Sequence, residues 1–125
     1  MRELILASAS PRRKELLAIA GFLFQVRVRP VEEVRRAGEL PVDYVRRLAR
    51  SKAEAVLQPG ETVLGADTVV VVDDKVLEKP RDAADAFGML EALSGREHQV
   101  ITGICLLYDG GALVDHAVTS VVFST

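Results

Sequence analysis

Cysteine is nearly absent from this 125-residue chain, with Cys105 standing alone. One thiol can neither close an internal disulfide nor build a cysteine-based zinc site, and such scarcity fits a reducing compartment. Tryptophan is missing and all aromatics together reach 5%. Without basic-aromatic interleaving there is no stacking platform for single-stranded nucleic acid. The net charge of −2 gives no bulk basic field, so any anion binding must be local. No stretch approaches the ~18 apolar residues of a membrane span. The N-terminus also lacks the basic region, long apolar core and small-residue cleavage site of a signal peptide. A cytoplasmic protein with no membrane or nucleic-acid partner is expected. Also missing are the glycines and Lys-Ser/Thr pair of a Walker loop, a Gly-x-Ser-x-Gly elbow and any His-x-x-x-His spacing. His98 and His116 are thus left without a metal-binding companion.

What is present is an ordinary globular balance, 49% hydrophobic and 27% charged, in a length suited to one domain over residues 1–125. "ELILAS" (3–8) is a continuous apolar run, as in a buried strand. Pro11 to about Ala20 reads as a helix capped by Ser10 and closed by Gly21 at C′. "FLFQVRV" (22–28) reads as a second strand, and Pro41 to about Leu57 as a second helix stopped by Pro59-Gly60. "TVLGADTVVVV" (62–72) is apolar enough for the centre of a sheet. A turn at Asp73-Asp74-Lys75 leads to the short strand "KVLE", and a third helix fits Ala83–Leu93 between Asp82 and Gly95. "HQVITGICLLY" and "ALVDHAVTSVVF" flank Asp109-Gly110-Gly111, a hairpin signal. Cys105 lies in an apolar strand and reads as core. The class is α/β, a mixed central sheet flanked by helices. Ending at Thr125, one residue past a strand-like run, the chain is expected to be truncated, unless that strand is an edge.

Several residues break local rules. A helix N-terminus carries partial positive charge and favours acids, yet Arg12 and Arg13 follow Pro11 directly. Either they are solvated surface cations, or they extend the free backbone N–H groups of a strand–turn–helix junction into an anion pocket, with Ser8 and Ser10 adding hydroxyls. On the second helix Val42, Val45, Leu48, Ala49 and Val56 form one stripe, and Lys52 falls inside it; the alternative is a snorkelling side chain. Asp67 interrupts an apolar run, so its carboxylate must be paired, metal-bound or neutralised. A structural Asp at a bulge beside Gly65 is the competing explanation. Glu32-Glu33 is a solvated loop pair or a source of a second carboxylate for a hard cation. Lys79 before Pro80 is a cation on a stiff, extended backbone. Taken together, these groups suit a magnesium–polyphosphate substrate.

"LASASPRRKELL", "GADTVVV" and "EKPRDAADAFGMLEALSGREHQVITG" together resemble the Maf family of nucleoside triphosphate pyrophosphatases, in order and over essentially the whole chain. The resemblance implies a fold similar to the inosine triphosphate pyrophosphatases and hydrolysis between the α and β phosphates, giving a monophosphate and pyrophosphate. It also implies a divalent metal (magnesium, with manganese an alternative), a homodimer, and a link to bacterial septum formation. It places the catalytic acceptor on Asp67, the phosphate loop on Ser8, Ser10, Arg12 and Arg13, further substrate contacts on Lys52 and Lys79, and metal ligands on Glu33 and Asp67. Arg12 and Thr68 resemble the branch acting on dTTP and UTP; the alternatives are the sibling branch acting on 7-methyl-GTP and a non-catalytic septation regulator. The family continues into a loop with Asp-Lys-Ala-Gly-Ala-Tyr and a specificity glutamine, so the chain is expected to lack the C-terminal portion.

Overall fold

The computed structural model describes residues 4–72, 75–77, 84 and 97–122. The expected third helix lies outside them except for Ala84, which is helical, and so does the segment carrying Lys79. The elements are β1 (Leu4–Ala7), α1 (Pro11–Ile19), β2 (Phe24–Val26), α2 (Pro41–Glu54), β3 (Thr62–Val72), β4 (Lys75–Leu77), β5 (Glu97–Tyr108) and β6 (Gly111–Val122). They form a six-stranded sheet in the order β2-β1-β3-β5-β6, with β4 paired to β3. β1 runs parallel to both neighbours, whereas the β3–β5 and β5–β6 pairs are antiparallel. The sheet is therefore mixed, as expected. No helix among the described residues is long and apolar enough to cross a membrane.

Local chemistry sets the boundaries. Ser10 caps α1, its Oγ accepting from the Arg13 N–H at 3.4 Å, and Pro11 supplies a preset φ at the first helical position. At the other end Gly21 adopts φ 87°, Phe22 N–H donates to Leu17 O and Gly21 N–H to Ala18 O. That pair of bonds is a Schellman closure, which only a residue tolerant of left-handed backbone makes cheaply. The hairpin turn is Asp109-Gly110, with Gly110 at φ 89° and Gly111 already paired with Tyr108.

α2 carries the core. Val45, Ala49 and Ala53 are fully buried and Leu48 nearly so, against Ile5, Val63 and Cys105 at one end and Val69, Val71 and Ile101 at the other. The helix lies close because two strand positions beneath it have no side chain. A Cβ on Gly65 would run into Ala49 O, and one on Gly103 would sit 2.5 Å from the carbonyl of Val45. Cys105 is core as read, and burial pushes its thiol pKa up.

Candidate functional site

β1 stops at Ala7, opposite Gly65, while β3 continues to Val72. Between Ala66 and Val69, after β1 ends and before β4 joins at Val70, β3 has no strand partner on its β1 side among the described residues. Successive side chains of a strand point to opposite faces, so Asp67 projects towards α2 and Thr68 towards α1. Both line a cavity that opens past the carboxyl end of β1. In open α/β sheets that is where ligands are held. The cavity has a volume of about 500 Å³, with Ser8, Ser10 and Arg13 from the β1–α1 turn, Arg29 and Glu33 from the β2–α2 loop, and Lys52 from α2 also contributing.

On one side, Lys52 Nζ lies 2.8 Å from Asp67 Oδ1 and 3.1 Å from Glu33 Oε1. Lys52 is thus neither snorkelling into bulk water nor an accident of the helical stripe. Its stem leaves the apolar face of α2 and its head bridges two carboxylates. Burial pushes the Lys52 pKa down, but the hydrogen bond and charge of Asp67, backed by Glu33, outweigh it and hold the ammonium above the ordinary lysine value. Asp67 is buried and its partner is a cation rather than a bulge; the β3–β5 ladder runs unbroken through the Asp67–Gly103 pair.

On the other side, hydroxyls hold a guanidinium. Arg13 donates to Thr68 Oγ1 at 2.6 Å and to the buried Ser8 Oγ at 3.1 Å, and Ser8 Oγ also accepts from Ser10 N–H. Thr68 is backed by Thr102 on β5, the two hydroxyl oxygens being 2.9 Å apart. Arg12 is exposed and is not among the residues lining the cavity. Neighbouring helical positions diverge by about 100°, so a helix end turns only one of two consecutive arginines into a cleft. Glu32 likewise stays exposed outside the lining, and Glu33 is the member of the acidic pair that reaches Lys52.

The expected residues Ser8, Ser10, Arg13, Glu33, Lys52, Asp67 and Thr68 therefore share one cavity, Arg12 does not line it, and Lys79 lies outside the described residues. Two residues escaped the sequence reading. Thr102 carries no local signal, since a Thr in a strand is ordinary. Arg29 does carry one: it precedes Pro30, the same cation-before-proline pattern noted at Lys79-Pro80. The histidines serve elsewhere. His98 is buried in β5, and His116 Nδ1 sits 2.9 Å from Arg46, neither of that pair lining the cavity.

No cluster of three or more metal-ligating side chains occurs among the described residues. Glu33 and Asp67 nevertheless converge on one cationic point, now taken by the Lys52 ammonium. Two carboxylates completed by phosphate oxygens form the donor set that magnesium favours, so these residues fit a divalent ion.

A family model described as Maf-like protein matches residues 3–125. The dTTP/UTP pyrophosphatase of Koribacter versatilis is 52% identical over 120 residues, covering 94% of this chain and 62% of that one. Its Vibrio cholerae namesake is 50% identical over 129 residues, covering 98% and 67%. The chain thus spans about two thirds of the length of these relatives. Among solved structures, the Staphylococcus aureus Ham1 protein gives a TM-score of 0.61 at 18% identity, covering 95% of this chain and 70% of that one. That likeness concerns the fold alone.

Proposed function

We propose, for a chain that belongs to the Maf family, that the cavity binds a nucleoside triphosphate of the dTTP/UTP class and cleaves it between the α and β phosphates. Water attacks the α-phosphorus as the bond to the bridging oxygen of the β-phosphate breaks, leaving a monophosphate and pyrophosphate. Asp67 takes the proton from the attacking water. Lys52 keeps Asp67 oriented and offers its charge to the phosphates. Arg13 is already aimed by Ser8 and Thr68, and its acceptors there are neutral hydroxyls. Its full charge is thus available to phosphate oxygens without reorganisation, the condition under which a fixed cation contributes ~3 kcal/mol to a transition state. A divalent ion held by Glu33 and Asp67 would supply further neutralisation of the phosphate charge.

One observation carries this reading: the Lys52 bridge between Asp67 and Glu33, set in the same cavity as the hydroxyl-held Arg13. The pyrimidine preference is supported by the relatives, which are named dTTP/UTP pyrophosphatases, and by Arg12 and Thr68, which match the dTTP/UTP branch. A homodimer, the state the resemblance implies, belongs to the same proposal and is read by light scattering. The test is pyrophosphate release from dTTP, UTP, CTP, GTP and 7-methyl-GTP with magnesium. Turnover of dTTP and UTP is expected, lost on chelation and lowered at least ~100-fold in Asp67→Asn, as for removal of a general base. Preferred turnover of 7-methyl-GTP, no turnover of any nucleotide, or an undiminished Asp67→Asn rate overturns it.

A further inference from the structure

We propose that Arg29, which neither the sequence motifs nor the family resemblance singles out, is a phosphate-binding residue of this cleft. The proposal rests on the nucleotide reading above and adds to it a third cation and a second wall. Three cationic side chains line the cavity: Arg13, Arg29 and Lys52. They differ in what already occupies them. Lys52 is shared between two carboxylates, and Arg13 is held by two hydroxyls. Arg29 is exposed and, among the described residues, takes part in no hydrogen bond or ion pair. A triphosphate brings several negative charges into a cavity whose two lining carboxylates, Glu33 and Asp67, both face Lys52. An anion that recruits Lys52 must compete with Asp67 and Glu33. One that recruits Arg29 breaks no bond to a described residue, so its charge-assisted, bidentate contact goes to the ligand.

The backbone supports the role. Arg29 stands directly before Pro30, whose ring clashes with a helical conformation of the preceding residue and restricts it to extended geometry. The guanidinium is therefore presented from a stiff segment. Val28, Pro30 and Val31 line the cavity beside it and offer its guanidinium no side-chain acceptor of their own. Arg12, on α1, lies outside the lining while Arg29 lies inside it, so the second guanidinium of the site comes from the β2–α2 loop and not from the helix end.

Calorimetric titration with inorganic pyrophosphate, alongside dTTP hydrolysis in magnesium buffer, tests this on the native chain, Arg29→Gln and Arg29→Lys. Thermal melts establish that the variants fold. Arg29→Gln is expected to weaken pyrophosphate binding about tenfold, the effect of removing one charge-assisted contact. KM for dTTP should rise by a similar factor with kcat within a few-fold of native, the signature of lost ground-state binding. Arg29→Lys should recover part of both, because it keeps the charge and loses the bidentate fork. A native chain that hydrolyses dTTP, with Arg29→Gln binding pyrophosphate as tightly, overturns the Arg29 assignment and leaves the nucleotide reading standing. A native chain that neither binds pyrophosphate nor hydrolyses nucleotide overturns both.

Discussion

Replacing Gly103 by alanine tests how the site is assembled. The added Cβ would lie 2.5 Å from the carbonyl carbon and oxygen of Val45 and 2.8 Å from Arg46 N, all backbone atoms of α2. No side-chain rotation relieves such contacts. To reach the 3.4 Å of ordinary contact the helix must withdraw by about 0.9 Å. Gly103 does not use left-handed backbone, so the cost is one of space, and overpacking of this kind costs ~1–3 kcal/mol. The upper half of that range applies because Val45, Leu48, Ala49 and Ala53 all pack through this interface. At roughly 3–6 °C per kcal/mol for a domain of this size, Tm should fall by ~6–18 °C in calorimetry. Lys52 lies two turns further along the same helix, so the withdrawal also lengthens its 2.8 Å contact with Asp67. Hydrolysis at 25 °C, where the variant stays folded, should therefore fall as well. A Tm within 1 °C of native, on the order of measurement error, would show that α2 is not seated on this glycine.

Lys52→Met keeps the stem and removes the ammonium that Asp67 and Glu33 share. A loss of ~1–3 kcal/mol in urea melts at pH 7 is expected, less than for a fully buried pair because the cavity opens to water. Combined with Asp67→Asn, it should cost less than the sum of the single changes, and strict additivity would refute the coupling. Elsewhere, Arg47 donates two hydrogen bonds to Glu39 and holds its carboxyl at about 2 instead of 4.5, aided by the Arg36 N–H. A depressed carboxyl pKa stabilises the fold above the unfolded value and loses that contribution as pH falls from 4.5 towards 2. Glu39→Gln should therefore flatten the pH dependence of Tm between about pH 4.5 and 2. An unchanged slope would count against the Glu39–Arg47 pair as its source.

Where a local rule was strong, sequence and structure coincide. β3 occupies the expected residues 62–72, because eleven residues with only one charge have no stable place but the middle of a sheet. Ser10-Pro11 and Gly21 bound α1 by capping chemistry that needs no tertiary contact. Lys52 and Asp67 stood out for the same reason that the fold pairs them. A cation in an apolar stripe and a carboxylate in an apolar strand are both costly alone, and the fold resolves them by bringing them together across fifteen residues. Arg29 stayed hidden because its only signal, a place directly before Pro30, is faint: an exposed arginine in a loop carries no burial cost that demands a partner.

The linear sequence determined the strand and helix segments, their caps, and the short set of polar groups that burial could not leave unpaired. It could not determine which of two adjacent charges faces the cavity, because Arg12 and Arg13, or Glu32 and Glu33, differ only in their angle about a local axis. That phase is set by packing. β1 ends two residues short of Asp67, α2 settles onto Gly65 and Gly103, and the stretch of β3 left between β1 and β4 then shows both its faces to one cavity.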